Sequence, residues 1–206
     1  MKKIISIVSL WICITCTIFS SDFDYFQEYW SGIGFDFGNS FEFSDTGKTH
    51  IVSPGLNFHA YGFLNNSNFG GVIRSSLLFP VIENGFENNY KFQGDLLLGL
   101  AGRLNISDSL KLYGGLGINI GVLYTSNYIR NTDTKENDSK YLPMLGIGSD
   151  LGLKYDITDI IYVNTGCSLS YSFIETFSDN TIMGIKPYIG VGINYYYKTS
   201  WGKLKN

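Results

Sequence analysis

The chain carries two histidines, His50 and His59, and hydroxyls and carboxylates stand near the first of them: Ser40, Ser53, Glu42 and Asp45. Histidine, serine and carboxylate are the residue types of nucleophilic hydrolysis, in which an imidazole activates a hydroxyl. Their spacing here matches no such pattern, and a histidine in a polar connection is better read as a solvated side chain. His59 lies between Asn57 and Tyr61 in an alternating segment and is read as one member of a polar face. No catalytic residue is assigned, and the chain is read as not an enzyme. No cysteine pair, histidine cluster or spaced carboxylate set offers a metal site, so neither metal nor cofactor is expected. Gly32-Ile33-Gly34 and Gly115-Leu116-Gly117 are too short to be a phosphate loop, and no helical pattern follows either.

A second set of polar residues is more informative. Asp36, Arg74, Asp95, Arg103, Asp150, Lys154 and Lys186 each fall in the middle of a segment whose alternate residues are apolar. Three acids against four bases is close to balance. The chemistry such a set supports is ion pairing in an enclosed interior, with Asn119, Tyr113 and Tyr188 as further partners. Leaving one partner of such a pair alone is costly. The competing reading is a narrow polar passage, with room supplied by Gly34, Gly99, Gly117, Gly148 and Gly190.

The elements that position these charges follow from the period of the apolar residues. After residue 21 no stretch keeps a 3.6-residue period, and nearly all of it alternates with period two. Eight strands are predicted, at 29–38, 52–64, 69–82, 92–105, 110–125, 142–156, 160–174 and 184–198. Their connections alternate between long and short, so the long ones gather at one end. On the fifth predicted strand Leu112, Leu116, Ile118, Ile120 and Val122 share one face, and Tyr113, Gly115, Gly117, Asn119 and Gly121 share the other. All seven charges lie on the small or polar face. A soluble ligand-binding barrel needs the reverse, with an apolar interior and charges in water. An apolar face free of charge is what lipid demands, since an arginine or lysine there costs about 2–4 kcal/mol near the bilayer midplane. The expected fold is therefore all-β: an eight-stranded antiparallel up-and-down transmembrane β-barrel.

Two further patterns agree. Pro54, Pro80, Pro143 and Pro187 are expected near strand ends on the long-connection side, where a missing N–H is tolerated. Apolar-face aromatics form two bands, Phe37, Phe79, Phe92, Tyr124 and Phe173 at one end and Tyr29, Phe69, Tyr155, Tyr195 and Tyr197 at the other. Such girdles belong at bilayer interfaces.

Composition supports the same class. Charged residues are 16%, below the roughly 25% of an average soluble domain, while aromatics are also 16% and the chain has 24 glycines and 4 prolines. A net charge of -3 leaves no basic face, which excludes a nucleic-acid partner. Met1-Lys2-Lys3 followed by the apolar run Ile4 to Phe19 and by Ser20-Ser21 reads as a secretory signal peptide over 1–20, with the barrel domain over 21–206. Cleavage after Ser20 removes Cys13 and Cys16, so Cys167 remains alone and no internal disulfide is expected.

Signal peptide, eight strands, alternating connections and a charge-free face together resemble the small bacterial outer-membrane barrel proteins of the outer-membrane protein A, X and W types. The resemblance is one of architecture and covers about residues 22 to 198. It implies location in the outer membrane, contact with outer-membrane lipid, and delivery to the barrel assembly machinery. In these families an assembly signal lies in the last strand, and Gly192, Tyr195 and Tyr197 fit its spacing, although this chain continues through Lys198 to Asn206. Lipid-modifying enzymes with eight-stranded barrels use a histidine, a serine and a carboxylate near the external rim, but His50 and its neighbours do not reproduce their pattern.

The expected function is that of a non-enzymatic surface protein, structural or adhesive, with a porin-like conduit for small or apolar solutes as the alternative. A secreted soluble barrel is the third reading. Contact with a host or environmental ligand is expected at the longest polar connection, Ser126 to Tyr141, through Asn131, Asp133, Lys135, Glu136 and Asp138. N-terminal sequencing of the exported chain should begin at Ser21; an intact Met1 would overturn the signal-peptide reading.

Overall fold

The computed structural model describes residues 26–44, 47–64, 67–84, 90–125, 140–174 and 180–196. These residues form nine antiparallel β segments: β1 Phe26–Ser44, β2 Gly47–Leu64, β3 Phe69–Leu78, β4 Ile82–Asn84, β5 Tyr90–Asn105, β6 Leu110–Thr125, β7 Lys140–Asp156, β8 Ile161–Ile174 and β9 Thr181–Tyr196. The sheet runs strand by strand around the molecule, and β1 pairs with both β2 and β9, so it closes on itself. β3 and β4 are two pieces of one barrel strand, both held by β2. The fold is therefore the expected eight-stranded closed antiparallel barrel.

The division between β3 and β4 has a simple cause. Pro80 has no N–H to give to a ladder, while Phe79 and Val81 on either side still donate to the carbonyls of Pro54 and Val52, each at 2.9 Å. Beside the break, the β5–β6 ladder shifts register between Tyr90 and Phe92.

Two expectations about strand ends need correction. The first connection was expected to run from Asn39 to Ile51. Instead β1 and β2 stay paired up to Ser44 and Gly47. The reason is that the alternation of inward and outward residues continues through Phe41, Glu42 and Phe43 and resumes at Thr49. His50 therefore lies in a strand, not in a loop. Nor do all prolines sit at strand ends. Pro54 and Pro187 lie well inside β2 and β9. The β1–β9 ladder runs from Asp36 opposite Tyr188 to Asn39 opposite Ile185, and Pro187 falls in the gap between those pairs.

Facing directions agree with the alternation. Leu100 is 79% exposed, Phe69 74% and Ile147 64%, and the large exposed side chains of β1, β6, β7, β8 and β9 are apolar likewise. A surface of this kind in water would be an aggregation site; in a bilayer it is the solvated face. Strands of about 16 residues at ~3.3 Å each, tilted by about 40°, exceed an apolar band of about 25 Å. The ends of the barrel therefore project beyond the lipid. Of the outer aromatics, Phe37, Phe79 and Phe173 are exposed at one end and Phe69, Tyr155 and Tyr195 at the other. Phe92 is the exception at 7%, because Phe79 covers it with ring centroids 6.0 Å apart. Tyr197 lies outside the described residues, as do residues 1–20.

An arginine at Ile118, which pairs with Leu98 and Ile147 halfway along the wall, should destabilise the barrel by about 2–4 kcal/mol in vesicles. Urea titration of the refolded variant measures this, and an unchanged midpoint would contradict the lipid-facing assignment.

Candidate functional site

The barrel interior is where the sequence placed its polar chemistry, and it is organised in layers. Toward the short connections lies a layer of Trp30, Tyr61, Phe63, Val72, Ala101, Tyr113 and Tyr162, all buried. Toward the other end lies a layer of Ile51, Tyr90, Leu123, Leu142, Met144, Ile174 and Ile182. Neither was expected, since period-two reading assigned the interior to polar residues. The charges are held between and below these layers.

Five of the seven predicted charges occupy the middle. Asp36 and Arg74 pair at 2.5 Å, and Asp95 and Lys186 pair at 2.8 Å. Gln93 adds an amide donor to Asp95 at 3.0 Å. Among the described residues Asp150 has no direct cation partner; it accepts from the hydroxyls of Tyr61 and Tyr188. Arg74 stands over the Tyr188 ring, with Cζ 3.9 Å from its centroid.

The remaining two predicted charges are elsewhere. Arg103 pairs with Glu28, and Lys154 pairs with Asp156, beneath the aromatic layer. Lys111 joins them, 2.7 Å from Glu28 and 3.6 Å from Asp156. Lys154 stands 4.5 Å from the ring centroid of Trp30, and Arg103 stands 4.6 Å from that of Phe63. These cations thus form a lid whose charged ends pair with acids and whose flanks rest on aromatic faces. The sequence reading missed Glu28, Lys111 and Asp156. Each continues the polar alternation of its strand, and carrying the alternation to the strand ends would have found them.

His59 joins the two halves of the middle layer. Asn57 gives its amide nitrogen to Asp36 at 2.9 Å, which turns its carbonyl oxygen toward His59 Nδ1 at 3.1 Å. Nδ1 must therefore carry the proton. Nε2 is left to accept from Tyr162 at 3.0 Å and Asn164 at 3.3 Å. Asn164 also donates to Tyr113, which stands 2.9 Å from Tyr188. A continuous hydrogen-bonded path thus runs from Arg74 and Asp36 through His59 to Asp150. The expected partner Asn119 takes no part in it; its amide donates to Ser172 at 3.1 Å, away from the charges.

The glycines let neighbouring strands and side chains approach closely. A methyl group on Gly34 would meet Asn57 Nδ2 at 2.9 Å, on Gly190 Asn164 Oδ1 at 2.7 Å, and on Gly148 Leu97 Cδ1 at 3.0 Å. Gly99 and Gly117 face each other so closely that a methyl on Gly99 would lie 2.6 Å from Gly117 Cα. The space a side chain would have taken is already occupied.

The hydrolytic set near His50 does not converge. Ser40, Ser53 and Glu42 are buried on the inner face, whereas His50 lies on the alternate face and stacks on Phe41 with ring centroids 4.6 Å apart. Residues one strand position apart point to opposite sides of the wall. Asp45 lies outside the described residues. So do Asn131, Asp133, Lys135, Glu136 and Asp138 of the expected external contact. Gly192 and Tyr195 of the expected assembly signal lie in β9, opposite Gly32 and Tyr29 of β1. Among the described residues no group of three or more histidines, cysteines or carboxylates could hold a metal.

Replacing Arg74 by alanine should destabilise the barrel by about 3–5 kcal/mol, because Asp36 is left as an uncompensated buried charge. Replacing Lys186 by methionine should act similarly through Asp95, and changing Asp95 to leucine as well should recover much of the loss. Urea titrations in detergent check all three; an unchanged midpoint for Arg74→Ala would refute the pairing.

No protein-family model matches the chain, and no curated protein resembles it in sequence. Its fold is similar to that of solved structures. The crystal structure of Neisserial surface protein A aligns with a TM-score of 0.57 at 12% identity, covering 81% of this chain and 96% of that one. Ail, the attachment invasion locus protein of Yersinia pestis, aligns with a TM-score of 0.52 at 17% identity, covering 82% and 99%. The outer membrane protein OprG from Pseudomonas aeruginosa aligns with a TM-score of 0.52 at 13% identity, covering 85% and 100%. The architecture reached from alternation and closure is thus that of the small eight-stranded outer-membrane barrels.

Proposed function

We propose that this chain is an integral barrel of the bacterial outer membrane that acts at the cell surface, as a structural or adhesive protein without catalytic activity. The observation that carries this reading is the contrast between wall and interior. The wall presents a largely apolar face suited to lipid, and clusters of buried apolar and aromatic residues pack on either side of the interior charges. Work at the membrane then falls to the connections outside it, above all residues 126–139, with their run of polar side chains. Outer-membrane lipid and the barrel assembly machinery are the partners this reading requires, with a host or environmental ligand at the external loops. Neisserial surface protein A is by its name a surface protein and Ail an attachment invasion protein, and both are compatible with such a role.

A conduit for apolar solutes is the second reading. One feature favours it: the break at Phe79–Val81 stands beside the register shift at Tyr90, near the upper apolar layer. Such a route would open sideways into lipid at that break.

The mature chain should stay in urea-washed membranes and shift its gel mobility on boiling; release without a shift would defeat the membrane assignment. Planar-bilayer recordings should show no steady conductance, and a reproducible open level would favour a channel. Exchanging residues 131–138 for a glycine-serine run should abolish attachment of cells to their target surface while leaving the heat-dependent shift intact. Unchanged attachment would remove the adhesive role.

A further inference from the structure

The charges between the two apolar layers do not pair one to one. Among the described residues Lys186 pairs with Asp95 and Arg74 with Asp36, which leaves Asp150 without a cation of its own. Arg74 gives Nη2 to Asp36 Oδ1, and its Nε and Nη1 are buried with no hydrogen-bond partner among the described residues. Asp150 receives both tyrosine hydroxyls on Oδ2, and its Oδ1 is buried with no partner. All three side chains are at most 3% exposed. Both groups lie against Tyr188. The guanidinium rests on the Tyr188 ring at 3.9 Å, and the hydroxyl of that same ring donates to Asp150 at 3.2 Å.

We propose that an internal water molecule binds between Arg74 and Asp150, accepting from guanidinium Nε or Nη1 and donating to Asp150 Oδ1. One arginine then serves two carboxylates, Asp36 directly and Asp150 through the water. Buried polar groups in native proteins are almost always hydrogen-bonded, and a buried water typically holds two to four polar partners. Water fits because it both accepts and donates. A metal cation could satisfy the carboxylate oxygen but would be repelled by the adjacent guanidinium N–H groups. The wall beside the site is built from small residues, with Ser168 opposite Asp150 in the β7–β8 ladder and Ser76 two positions from Arg74 on the same face of β3. Asp36 Oδ2 and Asn164 Oδ1, also buried without a partner, offer further acceptors in the same layer. The site is independent of what the external loops contact.

The test is a crystal structure of the mature protein refolded in detergent, at a resolution that shows ordered water, with a second crystal soaked in rubidium chloride. The expected result is a density peak within about 3.2 Å of both Asp150 Oδ1 and an Arg74 nitrogen, without rubidium anomalous signal. A direct Arg74–Asp150 contact, an empty gap, or a rubidium peak would each overturn the proposal. In solution, oxygen-17 relaxation dispersion counts long-lived interior waters. Asp150→Leu should lower the count by at least one and Asp150→Asn should preserve it, whereas equal counts in the wild type and Asp150→Leu would argue against the site.

Discussion

Every other feature of this molecule depends on the ladder between its first strand and its last. A backbone N–H or C=O left unpaired in hydrocarbon costs several kcal/mol, and an open sheet has two rows of them. β1 removes both rows by pairing with β2 on one side and β9 on the other. Once the sheet is closed, each strand has only an inside and an outside, and side chains must alternate between them. The placement of charge, the aromatic bands and the seating of tyrosines against glycines all follow from that division.

Closure also explains why the interior is layered and not uniformly polar. An eight-stranded barrel is just wide enough for its side chains to fill, so each inward residue meets those across the lumen. Large rings from β1, β2, β6 and β8 meet in one layer, and aliphatic side chains meet in another. Charges placed between them are cut off from bulk water and must find their partners within the layer. The lower charges solve the same problem at the mouth, where Glu28 on β1 reaches Arg103 on β5 and Lys111 on β6.

Strand number, strand direction and facing were legible in the sequence because period two carries them directly. Leu116 and Ile118 against Gly117 and Asn119 already state which side of β6 meets lipid. What remained hidden depends on distance across the lumen. Nothing in the order of residues tells that Arg74 chooses Asp36, or that Asp150 is held by Tyr61 and Tyr188. The aromatic layer was hidden for a related reason, since Trp30, Tyr61 and Tyr162 sit among polar neighbours and each looks like one more polar-face residue. His50 was misplaced because polar residues around it suggested a loop, while the pairing of Phe41 with His50 shows the ladder continuing there.

The glycines of the inner face carry a consequence for how such a chain can diverge. Methyl groups on Gly152 and Gly166 would come within 2.6 Å of the Tyr188 hydroxyl, and one on Gly192 would meet that of Tyr162 at 2.3 Å. Each of these glycines thus leaves room for a tyrosine on another strand, and a side chain at the glycine requires that tyrosine to move or shrink. The outer wall asks only for an apolar residue, whichever it is. Substitutions can then drift freely on the outside, while inside they must arrive in pairs, and a different set of pairs fills the same cylinder equally well. Barrels of one architecture can thus share little of their sequence, because the architecture specifies a volume to be filled and leaves open which residues fill it.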